Sequence, residues 1–104
     1  MLEKRECLKL RKRVDDNQKK IVYALRESGV SVQHLHEVGN GCPDLLCGYD
    51  GVNYLIEVKD GKKYKSQQQL TDDQKKWHYD WQGQVEVISS VEEALQFVSD
   101  IING

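Results

Sequence analysis

The sequence predicts an α/β sandwich, a central sheet with helices packed against it, and three observations carry that expectation. An amphipathic stretch stops at Gly29. Two short apolar runs, Leu45-Leu46-Cys47 and Tyr54-Leu55-Ile56, flank an Asp50-Gly51 dipeptide. The last third of the chain then alternates helical, extended and helical patterns. The resulting order is helix, three strands, helix, strand, helix.

Each element has a local cause. Asp15 or Asp16 is placed to cap a first helix running to about Ser28, with Gly29 as its stop. Val14, Gln18, Ile21 and Leu25 share one face of it, so Gln18 is a polar residue on an apolar stripe. Over 30–36, Val30, Val32, His34 and His36 alternate, which suggests a strand. Gly39-Asn40-Gly41 is a turn, and Pro43 forbids helix at Cys42 and sets Asp44 at the start of an extended run. Asp50-Gly51 is a two-residue hairpin signal joining strands over 45–49 and 52–59. Asp60-Gly61 ends the second strand, and 62–69 is a polar, basic loop. A helix follows from Thr71 to about Gln82-Gly83, opened by the capping box Thr71-x-x-Gln74. Trp77 and Trp81 on it read as core or dimer contacts. Val85–Ile88 is a further strand. Ser90-x-x-Glu93 is a second capping box, before a helix with Ala94, Leu95, Val98, Ile101 and Ile102 on its buried side.

The 104 residues suffice for one domain, read as a charged arm over 1–13 and a single domain over 14–104. A hydrophobic content of 38% against 31% charged excludes a disordered chain. No apolar run approaches the ~20 residues of a membrane span. The segment Met1–Arg13 lacks the apolar core of a secretory signal, so the expected location is cytoplasmic. Three cysteines without a Cys-x-x-Cys pair argue against a zinc ribbon and for free thiols. Cys42 and Cys47 with His34 or His36 form an alternative metal set, but the apolar run around Cys47 reads as packing.

Charge is unevenly spread. All 15 Lys and Arg precede Trp77, together with 12 of the 17 acids; five acids and no base follow. Six bases lie between Lys4 and Arg13, and four between Lys59 and Lys65. The second cluster makes Lys62, Lys63 and Lys65 candidates for phosphate contact.

The chemistry concentrates at Pro43-Asp44 and Glu57-Val58-Lys59. Side chains two apart in a strand share a face. Asn53, Leu55, Glu57 and Lys59 therefore point one way, and Tyr54, Ile56 and Val58 point to a core. The hairpin brings the start of one strand beside the end of the next, which sets Asp44 near Glu57. Two like charges repel unless a cation lies between them, and hard divalent cations take carboxylate oxygens. Such an ion polarises a phosphoryl oxygen and acidifies water. Lys59 is placed to orient or deprotonate that water, or to neutralise the crowded phosphate.

Gly41-Cys42-Pro43-Asp44-Leu45-Leu46 with Ile56-Glu57-Val58-Lys59-Asp60-Gly61 resembles the PD-(D/E)XK nucleases, most closely their virus-type replication-repair nuclease (VRR-NUC) branch, over roughly residues 14 to 88. The resemblance implies a restriction-endonuclease-like αβββαβ core and hydrolysis of DNA phosphodiesters with magnesium or manganese. It also implies that Asp44, Glu57 and the main-chain carbonyl of Val58 hold the metal, with Lys59 the catalytic lysine. The branch acts on flaps or four-way junctions, and its small stand-alone members, found in phages, tend to be homodimers. Many members carry a glutamate on the first helix where this chain has Gln18, after Asn17; the amide can bond a metal-bound water but brings no charge. The family also places a glutamine at the start of the helix after the hairpin, which maps to Gln74. A second reading is a binding module of the same fold that grips branched DNA with weak catalysis. His34, His36 and His78 are expected to be structural.

Overall fold

The computed structural model describes residues 16–60 and 70–104. Helix α1 (Asp16–Glu27) buries Gln18, Ile21, Val22 and Leu25. Val14, the charged arm and Lys62, Lys63 and Lys65 lie outside the described residues. The helix closes as expected at Gly29: the Val30 N–H reaches back to the Leu25 carbonyl at 3.0 Å, the long bond of a glycine-terminated helix.

Strand β1 (Ser31–His34) is shorter than the alternation suggested. The Leu35 N–H still bonds the Asp44 carbonyl at 2.7 Å, but the Val38 N–H then turns back to Leu35 at 3.0 Å. That turn takes His36 out of the strand.

Strands β2 (Leu45–Tyr49) and β3 (Val52–Val58) form the expected antiparallel hairpin. Asp50 and Gly51 both adopt positive φ, 51° and 81°, as the tight twisted turn between paired strands requires. β1 pairs antiparallel with β2. β4 (Val85–Ile88) pairs parallel with β3, so the order is β1-β2-β3-β4 in one mixed sheet. A parallel neighbour needs a crossover, and helix α2 (Asp72–Asp80) lies within it.

One sheet face is the core. Leu45, Cys47, Ile56, Val58 and Ile88 meet Ile21, Val22 and Leu25 of α1 and Ala94, Phe97 and Val98 of α3 (Val91–Asn103). Ile56 is completely buried at the centre. Ile56→Ala is therefore expected to destabilise the fold by about 2–5 kcal/mol, read from urea midpoints.

The two later helices differ in detail from expectation. On α3 the buried stripe is Ala94, Phe97 and Val98, with Ile101 packed beside it, while Leu95 and Ile102 are about half exposed. Leu95 and Ile102 stand one residue on from Ala94 and Ile101, about 100° around the helix. Ser90 Oγ accepts the Glu93 N–H at 3.1 Å, as a cap should, but Glu93 Oε1 reaches past it to the Ser89 N–H at 2.7 Å and the Ser89 hydroxyl at 3.0 Å. α2 stops at Asp80, short of Gln82, and buries none of its residues. Trp77 and Trp81 are thus not core: they stack on each other, centroids 4.5 Å apart and planes 20° from parallel.

Candidate active site

The hairpin register builds the site. Leu45 pairs with Ile56, and Asp44 and Glu57 are the residues that adjoin this pair at the open end of the hairpin. Asp44 is held from both sides: its carbonyl takes the Leu35 N–H, and its Oδ2 takes the Val58 N–H at 2.9 Å. The neighbouring Pro43 is fully buried, which anchors the turn into β2.

Glu57 and Lys59 leave the sheet on the face opposite the core. Glu57 is nonetheless 2% exposed, far more enclosed than a strand-end acid read from sequence. The cover comes from α2. Gln74 Nε2 donates to Glu57 Oε2 at 2.9 Å, and Lys59 Nζ donates to Gln74 Oε1 at 2.7 Å. Lys59 Nζ also lies 3.8 Å from Glu57 Oε2. Gln74 Oε1 accepts the Thr71 N–H at 2.9 Å as well, while Thr71 Oγ1 accepts the Gln74 N–H at 3.2 Å. The capping box and the approach to the carboxylate, two separate readings of Gln74 from sequence, are satisfied by one side chain. Asp44 and Lys59 stay partly exposed and form the mouth.

Three neighbours lie outside the expected set of Asp44, Glu57, Lys59 and Gln74. Asn17 Nδ2 donates to the carbonyls of Lys59 at 2.9 Å and Ser89 at 3.1 Å, tying the ends of β3 and β4 to α1. Cys42 lies close enough to both acids that, after burial, Glu57 and then Asp44 push its thiol pKa up. His78 lies one helical turn beyond Gln74, and burial followed by the Lys59 charge holds its pKa below the usual histidine value. The four-residue step from Gln74 was the available signal for His78; nothing local marks Asn17.

Gln18 is buried, with Nε2 3.3 Å from His34 Nδ1. The amide donates, so His34 Nδ1 accepts and is unprotonated. Burial first, then His36 and Arg26, lower the His34 pKa, against a smaller opposing pull from Asp44. The unfolded chain therefore binds a proton that folded His34 and His78 resist, and stability must fall as pH drops through the unfolded value of 6.5. Urea midpoints are expected to decline between about pH 7.5 and pH 5.5, and His34→Asn should flatten that slope.

Asp44, Glu57 and the Val58 carbonyl are hard oxygen donors of the kind magnesium and manganese take. No cluster of three His, Cys, Asp or Glu side chains suited to a metal occurs among the described residues. Cys47 is fully buried, its thiol pKa pushed up to about 11 by burial, which disfavours the thiolate a Cys42–Cys47 site would need.

A mixed four-stranded sheet with this element order is the restriction-endonuclease-like α/β fold. The chain is similar to a solved structure described as a VRR_NUC domain, with 24% identity over 80% of this chain and 94% of that chain and a TM-score of 0.60. That likeness establishes the shared fold. No known family profile matches the chain, and no curated protein matches it.

Proposed function

We propose that this chain is a metal-dependent DNA endonuclease of the VRR-NUC branch, with Asp44, Glu57 and the Val58 carbonyl as metal ligands and Lys59 and Gln74 beside them. One arrangement carries the reading: Asp44 and Glu57 adjoin the paired residues Leu45 and Ile56, the Val58 N–H holds Asp44 Oδ2, and Gln74 links Glu57 to Lys59. A bound magnesium or manganese ion would supply positive charge to a phosphoryl oxygen and a more acidic water.

The protein groups have separable tasks. The Val58 N–H fixes Asp44 in one orientation. Gln74 holds Lys59 against Glu57, so an ammonium stands ready where negative charge grows on phosphorus. Gln18, whose Nε2 lies 3.3 Å from His34 Nδ1, would offer an amide where many family members carry a carboxylate. Lys62, Lys63 and Lys65 follow in sequence and would meet the DNA backbone; neutralising all three is expected to weaken binding and shallow its salt dependence.

The substrate we favour is branched DNA, flaps or four-way junctions, cut by a homodimer during phage replication, recombination or repair in the host cytoplasm. No helix among the described residues is long and apolar enough to cross a membrane. The test is cleavage of labelled linear, flap and four-way-junction DNA with magnesium, manganese or EDTA. Cleavage that needs the metal and is lost in Asp44→Ala supports the proposal; cleavage surviving that change places the chemistry elsewhere. The missing carboxylate at Gln18 favours one alternative, a binding module on the same fold, which would bind junctions and cut nothing in either metal.

A further inference from the structure

A concavity opens on α2 beside the proposed active site. Asn40, Asp73, Lys76, Trp77, Asp80 and Trp81 line a space of about 350 Å3. Asp73, Trp77, Asp80 and Trp81 recur on one helical face, about 100° around from the face that carries Gln74 and His78. Trp77 stands only about 4.5 Å along the axis from Gln74. Asn40 belongs to the turn whose next residue, Gly41, abuts the backbone of Asp73 and Gln74. The recess and the carboxylates therefore share two walls, the turn and the helix.

The recess is built to hold a flat ring. Trp77 and Trp81 already stack at 4.5 Å. Trp81 also lies near Gly83, where a Cβ would come within 2.8 Å of its indole nitrogen. Even so, Trp81 is 45% exposed, a large aromatic surface presented to solvent. A third planar ring would extend the stack. The rim carries one unbalanced negative charge: Lys76 Nζ and Asp80 Oδ2 pair at 2.6 Å, and Asp73 adds a further carboxylate. Carboxylates repel a phosphate but accept N–H groups from the edge of a base. Ring and rim together favour a base over the backbone.

We infer that this recess receives one unpaired nucleobase adjacent to the phosphate that is cut. The inference rests on the nuclease reading for the position of that phosphate, and it adds a reason for branch preference. A base already outside the duplex stack enters at little cost, whereas a paired base must first be extracted.

The test uses the full chain in EDTA and two DNA probes. Both carry 2-aminopurine, unpaired at a branch in one and paired within a duplex in the other. Binding is expected to quench the unpaired probe. The ratio of affinities, unpaired over paired, is expected to fall about ten-fold in Trp81→Ala and to be largely kept in Trp81→Phe, with circular dichroism confirming the fold of each. No quenching by the wild type, or a ratio unmoved in both variants, overturns the inference. The nuclease reading fails separately: quenching without metal-dependent cleavage keeps the recess and removes the enzyme, while Asp44-dependent cleavage without quenching does the reverse.

Discussion

Lys59→Met is expected to lower the DNA cleavage rate about a thousand-fold and to cost about 2 kcal/mol of stability. Methionine keeps the apolar stem of lysine and removes the ammonium group, with its charge and its hydrogen bond to Gln74. In the folded chain that charge lies 2.7 Å from Gln74 Oε1 and 3.8 Å from Glu57 Oε2, with side chains only 12% and 3% exposed for Lys59 and Glu57. A carboxylate so enclosed is costly once its cation is gone. The two roles separate in a double-mutant cycle. Glu57→Gln combined with Lys59→Met removes both charges, so stability should largely return while cleavage should not. Single-turnover rates and urea midpoints for the four proteins decide the matter. If the pair were only a structural ion bridge, the double variant would recover activity along with stability.

The sheet and its register were readable because their signals are local. Asp50-Gly51 fixes the turn, and strand side chains alternate, so counting outward from the turn brings Asp44 and Glu57 to the open end of the hairpin. Thr71 and Gln74 lie within one helical turn, and their mutual bonds follow from spacing alone. What was hidden depends on contacts distant in sequence. Glu57 is buried because α2 returns over it, and no feature of the strand states that. Asn17 reaches carbonyls 42 and 72 residues away, which makes a plain polar residue into a brace for the ends of two strands. Gln18 stands by sequence where many family members carry an acid, and its bond to His34 is a contact its own helix does not announce. The aromatic face of α2 is legible as a pattern and reads as core or dimer contact; it is not core, and an apolar stripe does not say what covers it.

Gly41→Ala is expected to damage fold and site together. The backbone there has φ +84°, a region that costs an L side chain about 1–2 kcal/mol. The added Cβ would also meet the carbonyl group of Asp73, with the carbon at 2.7 Å, and the Gln74 nitrogen at 3.1 Å. These are main-chain atoms, which cannot swing aside as the end of a long side chain can. Either the turn retreats and carries Cys42, Pro43 and Asp44 with it, or the start of α2 retreats and carries Gln74 away from Glu57 and Lys59. Overpacking of this kind adds about 1–3 kcal/mol. A small displacement of positioned groups is enough to slow cleavage about a hundred-fold. Gly39→Ala is the control. Its φ is +76°, but a Cβ there meets nothing within 4 Å. It should show only the conformational cost, with the cleavage rate retained. Urea midpoints measure the first difference and cleavage rates the second. Equal losses in the two variants would mean that the contact between turn and helix does not position the site, and that Gly41 serves its turn alone.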